Sequence, residues 1–184
     1  MTWYADLAPC TVFRHCKDLA AVLRAVGWLE RGKEYPRGKI DASVFSRLVE
    51  LTRDPWEPDQ FRGKHTCDLC QFVGWRRDRC ETIPHDWSHR QFNAESSLRQ
   101  EMAYDEDVRN QTVQGCRNLF VPATNCVMIC PEMITHYINA HWYQPPDAFC
   151  RAVMECPDTH SEEYMRRLLA SGGQVLVDFG KDDF

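Results

Sequence analysis

Long hydrophobic runs are missing from this 184-residue chain, whose apolar stretches extend for only a few residues. A membrane-spanning helix needs about 20, so none is expected. An export leader is not expected either, because Asp6, Arg14, Lys17 and Asp18 interrupt the first twenty residues. A basic excess is lacking as well. The 22 Lys and Arg stand against 27 Asp and Glu, a net charge of −5, which argues against a broad nucleic-acid surface. No G-x-S-x-G, glycine-rich phosphate loop or H-E-x-x-H occurs, and no internal repeat or low-complexity tract.

What is present is ordinary globular material with one anomaly. The hydrophobic share is 43% and the charged share 27%, enough for one domain with a proper core. The anomaly is cysteine: ten of them, alongside six Trp. Disulfide-stapled domains are usually shorter and poorer in core-forming residues, so these read as reduced thiols of a cytoplasmic protein, some of them metal ligands.

Along the chain, Leu19 to Val26 has helical character and runs into Gly27-Trp28-Leu29. Asp41 offers an N-cap to a helix carrying Val44, Phe45, Leu48, Val49 and Leu51, which Asp54-Pro55 should stop. A polar stretch over 80–114 holds seven acidic residues against three basic ones and reads as an insertion, with a helix near 94–104. Residues 117–121 and 126–130 read as two strands of a hairpin turning at Pro122 to Asn125. Pro131 fits a first helical position with Glu132 in the first turn, followed by Met133, Ile134, Tyr137 and Ile138 on one face. Helices over 147–156 and 161–170 and a strand over 174–179 complete the expectation. Helices segregated around a hairpin or short antiparallel sheet make a single α+β domain.

The chemistry concentrates in four residues. Cys67 and Cys70 form the one C-x-x-C, a spacing that lets a tight knuckle present two thiolates to one tetrahedral ion. His136 and His141 follow in H-x4-H spacing on the helix after the hairpin. Five residues lie about 140° off-face on an ideal helix, so His141 is expected where the helix ends and tightens. About 65 residues separate the two halves, too many for a groove-reading finger. The set therefore predicts a long-range clamp holding one structural Zn2+ per chain. His65 stands by as a substitute ligand or as a cap of the loop. An alternative exists for each half: a C-x-x-C can be a redox pair, although no strand feeds a helix starting at Cys67 as that chemistry requires, and His136 and His141 can be one core histidine and one exposed one. The remaining thiols read as core.

Two weaker constellations remain. Cys80 stands near His85, Asp86 and His89. His85 and His89 would share a helix face with Asp86 orienting or bridging and, with an open coordination position, could serve a metal-dependent hydrolase; Pro84 disturbs that helix, and a polar surface excursion explains them too. Trp75, Arg76, Arg77 and Arg79 offer an Arg/aromatic face to single-stranded nucleic acid, or a solvated rim beside the knuckle. No catalytic residue and no organic cofactor site is assigned.

Gly27-Trp28-Leu29, Gly63-Lys64-His65-Thr66-Cys67-Asp68-Leu69-Cys70, His136-Tyr137-Ile138 and His141-Trp142-Tyr143-Gln144-Pro145-Pro146-Asp147-Ala148-Phe149 succeed one another in this order. The series resembles a bacterial family of small uncharacterised domains, a domain of unknown function, over roughly residues 1–156 in patches. The resemblance implies that both halves of the clamp belong together and that the setting is the bacterial cytosol. It implies no activity. The 80–114 segment and the 157–184 extension depart from the pattern and are variable parts of one 1–184 domain. The reading that follows is a non-enzymatic, zinc-stabilised binding module of immunity or adaptor type, turning an acidic surface toward a basic protein partner. A metal-dependent hydrolase is the alternative, and single-stranded nucleic-acid binding the third reading.

Overall fold

A computed structural model describes residues 2–13, 18–58, 65–67, 69 and 114–179. One turn of helix, α1 (Leu19–Val22), passes directly into a short strand, β1 (Leu23–Ala25). The helical character of 19–26 is thus only half realised. Leu23 turns extended because β1 pairs in parallel with β5 (Cys126–Pro131), setting Leu23 opposite Val127 and Ala25 opposite Ile129. Leu23 and Ala25 are fully buried as a result, and that long-range burial outweighs a weak local helix preference. The amino-terminal segment runs along the other edge of β1. Ala25 N–H donates to the Ala8 carbonyl at 2.9 Å and Cys10 N–H to the Leu23 carbonyl at 3.1 Å, covering an edge that would otherwise be open.

β4 (Asn118–Ala123) completes a three-stranded sheet in the order β1-β5-β4, antiparallel to β5 from Asn118↔Pro131 to Ala123↔Cys126. The hairpin is where the apolar pattern put it, and it turns on Thr124 and Asn125, the latter at φ 60°. Pro122 is tolerated because β4 is an outer strand of this sheet. The sheet is mixed, not purely antiparallel. The pairing also carries β5 through Pro131, so Pro131 ends a strand instead of starting a helix, and Glu132 lies in the turn beyond.

The Glu132 carboxylate binds backward instead. It accepts from Cys116 N–H at 2.7 Å and Arg117 N–H at 3.2 Å, and pairs with Arg117 Nε at 3.0 Å. Gly115 permits this approach, since a Cβ there would meet the Glu132 side chain at 2.7 Å. Gly115 belongs to a two-stranded ribbon of β2 (His65–Thr66) and β3 (Gln114–Gly115), with His65 opposite Gly115.

Helices pack around the sheet. α2 (Ala42–Arg53) starts on Asp41, whose side chain accepts from Ser43 N–H at 2.7 Å, and buries Val44, Phe45, Leu48 and Val49. α3 (Ile134–His141) follows β5, and α4 (Asp147–Glu155) packs beside α2. α5 (Glu162–Ala170) is capped by Ser161 and inserts Tyr164, whose hydroxyl donates to the Phe120 carbonyl at 2.7 Å. Residues 174–179 form a helix, α6 (Gln174–Phe179), where a strand was expected. Helical spacing lets Leu176 bury fully while Phe179 meets the Phe13 ring at 5.4 Å, a pairing that period-two geometry would split. Among the described residues no helix is long and apolar enough to cross a membrane.

Candidate metal centre

Cys67 leaves β2 and enters the core, where it meets α3. Its Sγ lies 3.4 Å from His141 Nε2. Cys67, His136 and His141 each present one ligand atom, all within 4.8 Å of one another, and all three residues are buried. His141 and Cys67 are 0% exposed and His136 2%. Burying three such groups together needs a compensating interaction. Ordinary Zn–S and Zn–N lengths at a tetrahedral angle place sulfur and nitrogen about 3.6 Å apart, close to the separation found here. The arrangement can therefore hold a metal ion of the kind that takes mixed sulfur and nitrogen donors.

Two histidines five residues apart converge because of how α3 ends. Trp142 N–H donates to the Tyr137 carbonyl, an i→i−5 bond, and Trp142 itself is left-handed at φ 58°. The last turn is widened, not tightened as the spacing suggested, and a wide turn lays residue i+5 over residue i. The His136 and His141 rings consequently stand 5.1 Å apart, edge to face at 82°.

A strap holds this helix end in place. Gly38 N–H donates to the Trp142 carbonyl at 3.1 Å and Gln144 N–H to the Pro36 carbonyl at 3.0 Å. Just inside it, Tyr35 lies against Tyr143, rings 6.4 Å apart, with the Arg37 guanidinium over the Tyr35 ring at 4.7 Å. Burial raises the Tyr35 phenol above its ordinary range, Arg37 pulls it back and the Cys67 sulfur pushes it further up. On the next residues, Tyr143 donates to Asp6 Oδ1 at 2.7 Å, and the same oxygen accepts from Gly27 N–H at 3.0 Å. Gly27 sits at φ 70°, and a Cβ on it would crowd Ile134 at 3.1 Å and Tyr143 at 3.3 Å. The Gly27-Trp28-Leu29 and His141-Trp142-Tyr143 motifs are thus one contact, and it backs the ligand-bearing helix.

Three of the four residues expected as ligands come together. Cys70, the fourth, lies outside the described residues. His65 stands exposed on β2 and is not in the cluster. His85, Asp86 and His89, and Trp75, Arg76, Arg77 and Arg79, also lie outside the described residues. The Tyr35–Arg37 strap and the Asp6 carboxylate were not anticipated. Both act through residues distant in sequence: Asp6 binds Gly27 and Tyr143, and the 36–38 backbone binds Trp142 and Gln144.

A family model described as a domain of unknown function (DUF7919) matches residues 2–154, and the chain belongs to that family. No curated protein and no solved structure matches it. The match spans every residue of the cluster, whereas α5 and α6 lie beyond it.

Proposed function

We propose that this member of the domain family is a non-enzymatic binding module whose fold is closed by one structural zinc ion held by Cys67, Cys70, His136 and His141. The observation that carries the reading is the buried convergence of Cys67, His136 and His141 from two segments about 70 residues apart. Thiolate and imidazole are the donors zinc prefers, and a shell filled by protein groups leaves no position for substrate water. Zinc there ties the segment that follows β2 to α3. The setting we assign is a reducing bacterial cytoplasm, in keeping with Cys10, Cys116, Cys126, Cys130, Cys150 and Cys156 all being free thiols. The partner we assign is a basic protein, on the strength of the −5 net charge.

Removal of the metal tests the reading. A chelator should lower Tm by more than 10 °C, and one equivalent of Zn2+ should restore it. A chain whose melting ignores both additions would refute a structural metal.

A further inference from the structure

A cavity of about 730 Å3 opens beside the β2–β3 ribbon, between the amino-terminal segment and the start of β4. That volume is within the range of small-molecule sites. Thr11 and His65 stand exposed at its rim, while Trp28, Asn118 and Met133 line it from the core. Tyr4 joins them from the side, its hydroxyl 3.1 Å from that of Thr11.

Asn118 is the unusual member. It is the first residue of β4, 4% exposed, and its backbone N–H is taken by Glu57 Oε1 at 2.8 Å. Its side-chain carboxamide makes no hydrogen bond within the described residues and is not one of the buried polar atoms left unpaired, so it is open to the cavity. An amide placed there can pair with water or with a molecule that displaces it.

The charges around the cavity narrow the chemistry. Among the described residues its lining carries no carboxylate to hold a cation. Arg117 reaches its wall, but its charge is already paired with Glu132, and its Nη2 donates to the Thr52 and Arg53 carbonyls. A carboxamide offers a donor and an acceptor side by side in one plane, the complement of a nucleobase or carboxamide edge. Trp28 and Met133 supply an apolar wall for a flat ring, and the Tyr4 and Thr11 hydroxyls supply further polar contacts.

We infer that this cavity binds a neutral, planar small molecule that presents an adjacent hydrogen-bond donor and acceptor to Asn118. The inference does not rest on the metal reading.

The test is calorimetric titration of the full chain, with its metal content measured beforehand, using adenosine and nicotinamide as separate probes. Saturable one-to-one binding of either probe is expected, with adenosine alone pointing to a nucleobase and nicotinamide alone to a simple carboxamide. Asn118→Leu should weaken binding at least tenfold without lowering Tm, because the amide it removes has no protein partner to lose. Thr11→Trp, which obstructs the mouth from an exposed position, should weaken it as well. Failure of both probes to bind the folded wild type at millimolar concentration would overturn the inference. So would a lowered Tm with unchanged binding in Asn118→Leu. Should that variant not fold, unchanged binding in Thr11→Trp would overturn it instead.

Discussion

The buried thiols of this core sit in two different surroundings. Cys67 meets His136 and His141 in one cluster. Cys130, on β5, and Cys156, just past α4, are also buried but have no metal-binding cluster among the described residues. Burial drives the Cys130 thiol far up, with Cys156 adding to the shift, and pushes Cys156 itself up to about 12. Those two behave as small hydrophobes that stay protonated. Cysteine count therefore says little about chemistry here. A thiol becomes a candidate ligand where the backbone brings nitrogen donors to it.

The largest effects should come from breaking the first group. Cys67→Ser or His141→Ala should abolish metal binding and unfold or severely loosen the domain, a loss of about 3 kcal/mol or more read by denaturant melting. Cys130→Ala should keep its metal and lose only about 1–2 kcal/mol, the size of a small cavity. Equal losses in both would erase the distinction. Alkylation sharpens it further. In chelator under native conditions Cys67 should become reactive first, whereas Cys130 and Cys156 should label only on global unfolding, as peptide mass mapping would show.

A smaller effect concerns the region beyond the family match. Tyr164→Phe removes the donor to the Phe120 carbonyl and should cost about 1 kcal/mol with metal content unchanged. An unaltered melt would mean that α5 contributes little to the core.

The smallest concerns pH. Burial raises the Asp6 carboxyl above its ordinary 3.8, although Gly27 and Tyr143 both pull it down. The folded state then binds this proton more tightly than the unfolded one. Stability from this group is greatest below about 3.8 and falls as pH rises through the folded value. Asp6→Asn should flatten that decline, so the gap in Tm between variant and wild type should move in the variant's favour from pH 4 to pH 7. A constant gap would show that Asp6 ionises as freely folded as unfolded.

Much of the architecture could be read from local pattern. α2 was legible because Asp41, an apolar stripe and Asp54-Pro55 agree on its bounds. The β4–β5 hairpin was legible from two apolar runs around a turn. The histidine pair was legible as a pair, but not the widened turn that makes it converge, since an i→i−5 closure depends on Trp142 going left-handed against the 35–38 strap. Where the reading failed, distant contacts decided. β1 is extended because β5 lies beside it, Pro131 stays in a strand because Asn118 faces it, and 174–179 coils because Leu176 and Phe179 must reach the core together. Asn118 carries no signal of its own within the 117–121 run, and only its burial beside a cavity singles it out.

The most direct measurement is zinc content by elemental analysis of the untagged wild type beside His136→Ala and Cys130→Ala. The account predicts one zinc per chain in wild type and Cys130→Ala and none in His136→Ala. A folded wild type without metal, or zinc that survives in His136→Ala, would contradict it.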